Sequence, residues 1–218
     1  MKTLLRLDAS LRKEGSHSRA LADFFETKWR KIHQKGNVIY RDLNELQVPY
    51  LRNETVQAFY TPEAEYTEEN REAIALSNQL IEELKSADHI LVSSPLYNLN
   101  IPSTLKSYLD HIVRVGHTFR VREDGSYEGL IENEAAYIIT CKGEVYKDTS
   151  MQTLDFQEPY LKTIFGFIGL KLNAIFPLEG TAHRNLLESN LRVQKENIIK
   201  ELEKKLDLKE PQKIPNQV

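Results

Sequence analysis

Five short apolar runs alternate with longer amphipathic stretches along this chain, and that alternation narrows the possible folds more than any other feature. The runs fall at 3–7, 38–40, 89–92, 135–140 and 172–176, each followed by a segment whose apolar residues recur at helical spacing. In 18–33 the stripe is Leu21, Phe24, Phe25 and Trp29. In the next helix Thr67 is placed to cap the first turn, and the inward positions are Ile74, Asn78, Ile81 and Leu84, with only Asn78 breaking the apolar pattern. Pro102 suits the first turn of a third helix, with Leu105, Leu109, Ile112 and Val113 inward and Gly116 at its end. Two more helices are expected at 156–168, closed by Gly169, and at 187–206.

Strand and helix taking turns in this way predicts an α/β fold. The expected form is an open, doubly wound, five-stranded parallel sheet with helices on both faces and right-handed crossovers. With 218 residues and no linker rich in Pro, Gly or Ser, one domain over 1–208 is expected, followed by a polar, frayed tail at 209–218. Two connections exceed ordinary loop length. One spans 44–66, and the other, 119–130, carries Asp124-Gly125 as a hairpin-turn signal.

Charge and composition exclude several function classes. There are 29 basic and 32 acidic residues, a net charge of −3, which disfavours nucleic-acid binding through a bulk positive field. No apolar run approaches the roughly 20 residues of a membrane span. The single cysteine, Cys141, cannot form an internal disulfide, and no Cys/His cluster has zinc-site spacing. With no signal-peptide pattern at the start, a reducing cytoplasm is the expected setting.

In a doubly wound sheet, ligands bind beyond the carboxyl ends of the strands. The loop after the first strand holds Ser10, Ser16 and Ser18 around Gly15 and leads into a helix N-terminus, whose unpaired N–H groups and dipole suit a phosphate. One of these serines also serves as the helix N-cap. Neither G-x-G-x-x-G nor G-x-x-x-x-G-K-S/T occurs, so the ordinary dinucleotide turn and the nucleoside-triphosphate loop are both missing. A terminal monophosphate, as in a flavin mononucleotide, fits the hydroxyl-rich loop. The loop after the third strand, stiffened by Pro95 and Pro102, offers Leu96, Tyr97 and Leu99 as apolar cover for a flat aromatic ligand.

The string Pro95-Leu96-Tyr97-Asn98-Leu99-Asn100-Ile101-Pro102, followed by Leu105-Lys106, closely resembles the signature of the FMN-dependent NADH-azoreductase/quinone oxidoreductase family. The resemblance runs over nearly the whole chain, through the Ser10 and Ser16-His17-Ser18 loop, Gly116-His117-Thr118-Phe119-Arg120, Phe165-Gly166-Phe167-Ile168-Gly169 and Glu179-Gly180. It implies a flavodoxin-like fold with strand order 2-1-3-4-5 and a homodimer binding FMN noncovalently. It implies, too, that NADH or NADPH is the cosubstrate, and quinones and azo compounds the acceptors. Ser10, Ser16, His17 and Ser18 resemble the FMN phosphate loop. Leu96, Tyr97, Asn98 and Leu99 resemble the segment against the isoalloxazine ring, and Thr140, Cys141, Lys142 and Gly143 stand in the third flavin loop. No side chain is expected to act as a catalytic acid, because flavin N5 carries the hydride.

The third loop departs from the family pattern. Lys142 stands where arginine is common and Glu144 where a second glycine is common. A carboxylate beside an electron-rich ring would lower the flavin potential, and its bulk would narrow the cleft. Cys141 is expected to be a small buried hydrophobe, His17 to offer its backbone N–H, and His111 and His117 to lie at the surface. Two other readings compete: an NAD(P)H-dependent flavin or nitro reductase, and a flavodoxin-type electron carrier. The near-balanced charge disfavours the carrier, which needs an acidic docking face.

Overall fold

The computed structural model describes residues 1–207. The boundary expected at 208 and the tail at 209–218 lie outside the described residues. Five parallel strands form the central sheet: β1 (Thr3–Asp8), β2 (Asn37–Asp42), β3 (His89–Pro95), β6 (Ala135–Cys141) and β7 (Leu172–Leu178), in the order β2-β1-β3-β6-β7. The expected order 2-1-3-4-5 counts sheet strands alone. Numbered along the chain, the fourth and fifth become β6 and β7, because the antiparallel hairpin β4 (Phe119–Val121) and β5 (Tyr127–Gly129) intervenes and stays outside the sheet.

Side chains alternate across the sheet with period two, and this sorts the core into two layers. Leu5, Leu7, Ile90, Val92, Ala136 and Ile138 face one side. They are covered there by α4 (Glu68–Ser86), α5 (Ser103–Ile112) and α6 (Gln157–Phe167). Leu4, Leu91, Tyr137 and Ile139 face the other side, under α1 (His17–Ile32) and α7 (Arg184–Asp207). Helix α1 presents Leu21, Ala22, Phe25 and Trp29 to the sheet, while Phe24 is only half-buried.

The sequence pattern predicts five helices, whereas seven α-helices occur among the described residues. The extra two, α2 (Leu43–Leu46) and α3 (Asn53–Tyr60), occupy the 44–66 connection, which is therefore no simple loop. Thr67 caps α4 in a reciprocal capping box with Asn70. The buried stripe of that helix runs through Ile74, Ser77, Leu80, Ile81 and Leu84 rather than through Asn78. Asn78 is exposed and accepts a hydrogen bond from Arg114, while the Ser77 hydroxyl, fully buried, donates to His111 O at 2.5 Å. His111 is likewise buried rather than superficial, its Nε2 lying 3.0 Å from Pro49 O. His117 is half-buried, with Nε2 3.2 Å from an Arg114 nitrogen. Polar side chains of α4 and α5 here reach backbone groups of α5 and the 44–66 segment, which helical spacing alone does not reveal.

The hairpin packs Phe119 and Tyr127 on Phe167 at the end of α6. Gly129 and Gly169 meet there so closely that a Cβ on Gly129 would lie 2.1 Å from Gly169 N. Because α5 and α6 run back from the carboxyl ends of the strands, this contact sits at the opposite end of the sheet from the three loops of interest.

Candidate functional site

The three loops meet at the carboxyl edge of β1, β3 and β6. Parallel strands in register bring their ends level: Asp8 pairs with Ser93, and Ser94 with Thr140. The amide of Ala9 donates to Ser93 O at 2.9 Å, and the amide of Leu96 donates to Cys141 O at 2.7 Å. Each loop is thus tied to the next by a backbone hydrogen bond.

In the first loop Ser16 is the N-cap of α1. Its Oγ accepts from Arg19 N at 3.4 Å and lies 3.2 Å from Ser18 Oγ. Ser10, Ser16 and Ser18 are all buried, and Ser10 Oγ accepts from Arg12 N at 3.3 Å. Gly15 takes the left-handed conformation (φ +64) that lets the chain turn into the helix. The first-turn amides of His17 and Ser18 have no carbonyl above them to bond, the condition of every helix N-terminus. Hydroxyls, unpaired amides and a helix dipole converge here.

Beneath this loop lies an ion network that sequence pattern did not disclose. Asp8, fully buried, is held by Arg6 through Nη2 at 2.7 Å and accepts from Ser93 Oγ at 2.7 Å. Arg19 reaches Asp42 at 2.8 Å and comes within 3.6 Å of Asp8. Burial would raise the Asp42 carboxyl, but hydrogen bonds from the Arg19 guanidinium and the Asn44 amide outweigh it and hold the pKa below the usual carboxylate range. The available signals were an aspartate ending β1 two residues after an arginine, and a cation in the first turn of a helix, where the dipole disfavours it.

The second loop is a two-residue reverse turn. Tyr97 and Asn100 exchange both backbone hydrogen bonds, at 2.9 and 3.0 Å, across Asn98 (φ 47) and Leu99 (φ 68). Positive φ at both central positions is the geometry of a type I′ turn, which asparagine tolerates and leucine resists. Leu99 is kept there partly because its carbonyl accepts from Phe156 N at 3.0 Å. Leu96, Tyr97 and Leu99 are half-buried and Asn98 is exposed. Beside them a cavity of about 520 Å³ is lined by Leu11, Tyr97, Asn98, Ile101, Lys106 and Tyr160, so the first and second loops share one wall.

In the third loop the predicted residues separate. Thr140 is fully buried at the end of β6, and its Oγ1 has no partner among the described residues. Cys141 is buried, and the lack of solvation pushes its thiol up to about 12. The Lys142 side chain turns inward, away from the loop's exposed tip. Its ammonium lies 2.5 Å from Asp155, 3.0 Å from Glu179 and 3.7 Å from Glu158. Burial would lower this ammonium, but hydrogen bonds to Asp155 and Glu179 outweigh it and raise the pKa. Gly143 and Glu144 are exposed, braced by backbone bonds from Ala182 N and Gly180 N. The Glu144 carboxylate lies 2.7 Å from His183 Nε2 and so engages the loop after β7.

Three comparisons bear on this arrangement. A family profile described as a flavodoxin-like fold matches residues 1–202. The chain is 45% identical over 171 residues to the FMN-dependent NADH:quinone oxidoreductase of Hydrogenovibrio crunogenus, covering 78% of this chain and 84% of that protein. It is 40% identical over 200 residues to the enzyme of the same name from Nostoc punctiforme, covering 89% and 97%. Among solved structures, an azoreductase from Bacillus anthracis superposes with a TM-score of 0.86 over 94% of this chain and 100% of that one, at 24% identity. That likeness is one of fold.

Proposed function

The chain belongs to the family described by the flavodoxin-like fold, and from that membership we propose that it is an FMN-dependent NADH:quinone oxidoreductase that also cleaves aromatic azo compounds to amines. The observation that carries this reading is the convergence of three loops at the carboxyl edge of the sheet. The first of them is lined by hydroxyls and opened by unpaired helix amides. Nearly half of the aligned residues match a relative named for this activity.

The residues present fit FMN. Ser10, Ser16 and Ser18, with the amides of His17 and Ser18, form a donor set for a monophosphate that adds no fixed charge. Leu96, Tyr97, Asn98 and Leu99 would lie against the ring, and the orphaned Thr140 Oγ1 and the exposed Gly143 would meet its polar edge. Bound FMN supplies two-electron hydride transfer between a nicotinamide and the acceptor. The chain's own part is to hold phosphate and ring, to keep the Leu99 turn fixed, and to leave a cavity beside Tyr97 where a flat organic acceptor fits. Lys142 serves the site from behind, fixing the third loop to Asp155 just before α6 and to Glu179 just after β7.

A homodimer in the cytoplasm completes the reading. Exposed Tyr60 lines an apolar groove with Leu51, Val56, Val113 and Ile164, a surface suited to a second copy. No helix among the described residues is long and apolar enough to cross a membrane. The cosubstrate in this reading is NADH, as in the names of the relatives, or NADPH. The purified protein is expected to be yellow and to oxidise NADH faster with benzoquinone or methyl red than without acceptor. A protein that stays colourless after incubation with FMN overturns the reading. Stable radical without quinone turnover would instead identify an electron carrier.

A further inference from the structure

The buried cation beneath the first loop has a position that helix energetics does not favour. Arg19 lies in the first turn of α1, a turn with no acidic residue, where the helix dipole repels positive charge, and it is only 9% exposed. Its guanidinium runs under the loop, toward strand ends rather than toward solvent. One Nη2 hydrogen bond goes to the carbonyl of Ser10 at 2.5 Å and another to Asp42 Oδ1 at 2.8 Å. Nη1 donates to Tyr40 Oη at 3.0 Å. The side chain thus spans both ends of the loop, from α1 back to Ser10, and crosses to β2.

Two consequences follow from this geometry. The Ser10 peptide is fixed with its carbonyl turned down to Arg19, so the loop's carbonyl dipole is withheld from an anion seated above it. The charges of Asp8 and Asp42, both buried below a site read as anionic, are also offset. Arg6 already engages Asp8, leaving Asp42 dependent on Arg19. Without Arg19 the site would place a phosphate dianion over an uncompensated carboxylate in a medium of low polarity.

We propose that Arg19 is the positioning residue that makes the first loop selective for the phosphorylated flavin, acting through Ser10 and Asp42 and touching neither phosphate nor ring. This rests on the reading of that loop as the FMN phosphate site. Selectivity for the phosphate over the ring then resides in a side chain outside the serine cluster.

The test titrates the full chain, freed of flavin, with FMN and with riboflavin, following flavin fluorescence. The forms compared are wild type, Arg19→Met, Arg19→Lys and the double variant Arg19→Met, Asp42→Asn. Arg19→Met is expected to bind FMN about tenfold or more weaker, the scale of losing charge-assisted hydrogen bonds, while riboflavin affinity stays as in wild type. Arg19→Lys keeps the charge without the fork and should lie between the two. The double variant, which removes the carboxylate along with the cation, should regain part of the FMN affinity. An unchanged FMN-to-riboflavin ratio in Arg19→Met, or equal losses for both flavins, overturns the proposal. If Arg19→Met does not fold, the ratio in Arg19→Lys decides by the same criterion. A wild-type chain that binds both flavins equally overturns the phosphate-loop reading itself, a separate outcome.

Discussion

Lys142 Nζ and Asp155 Oδ2 lie 2.5 Å apart inside the protein, joining the end of β6 to the start of α6. The same aspartate accepts from the amides of Gln157 and Glu158 through its other oxygen, and Gln157 in turn donates to Ser94 O and Oγ at the end of β3. Glu179, the second partner of Lys142, accepts from the amides of Tyr146 and Lys147. One buried ammonium thus sits at the centre of a network that fixes the second and third loops to each other.

Removing that ammonium leaves the buried Glu179 and the partly buried Asp155 without a cation, held by backbone amides alone. Lys142→Met is expected to lower the unfolding free energy by about 3–5 kcal/mol, as for breaking a buried ion pair from one side. Urea denaturation at pH 7 measures it. A loss below about 1 kcal/mol would mean that water or rearrangement replaces the lysine at little cost.

Acid stability carries the mark of Asp42. Its folded pKa lies below the unfolded value of about 3.9, so its contribution is complete above that value and is lost as pH falls through the folded pKa. Asp88 and Glu83 are shifted in the same direction: burial alone would raise each, and hydrogen bonds from Lys2 and Thr3 N, or from Arg41 and Gln79, outweigh it. Stability should therefore fall as pH drops below about 4, and Asp42→Asn should flatten that decline. Midpoints of urea unfolding between pH 3 and 7 test this, and a variant with an undiminished acid slope would refute it.

Leu99 holds φ 68 without the freedom of glycine. Leu99→Gly turns the pair into Asn-Gly, the favoured type I′ sequence, and should leave stability unchanged or raise it by up to about 1 kcal/mol. The side chain that would cover the ring is lost at the same time, so FMN affinity should fall. Thermal unfolding and flavin titration in parallel separate the two effects. A clear drop in melting temperature would show that Leu99 contributes packing that outweighs its strain.

Cys141 is 6% exposed, and its thiol is pushed up to about 12, so almost no thiolate exists near neutrality. Iodoacetamide at pH 7.5 is expected to leave the folded protein unmodified and to label it fully in denaturant. Mass spectrometry reads both. Rapid labelling of the native chain would place the thiol at the surface.

The layer order of this protein was legible in its sequence because burial on both faces of a parallel sheet leaves short, continuous apolar runs such as 89–92. Amphipathic helices with caps like Thr67 announce themselves between those runs. The chemistry of the first loop was legible for a similar reason: Ser10, Ser16 and Ser18 are near neighbours in the chain, and a helix N-terminus is a local property. What only the tertiary structure decided are the relationships between distant residues. The burial of Ser77 in place of Asn78 depended on the His111 carbonyl, 34 positions away. The inward turn of Lys142 depended on Glu179, 37 positions away. The hold of Arg19 on Asp42 depended on the pairing of β1 with β2. A buried charge takes its role from its partners, and strand pairing and helix packing bring those partners together only when the chain has folded.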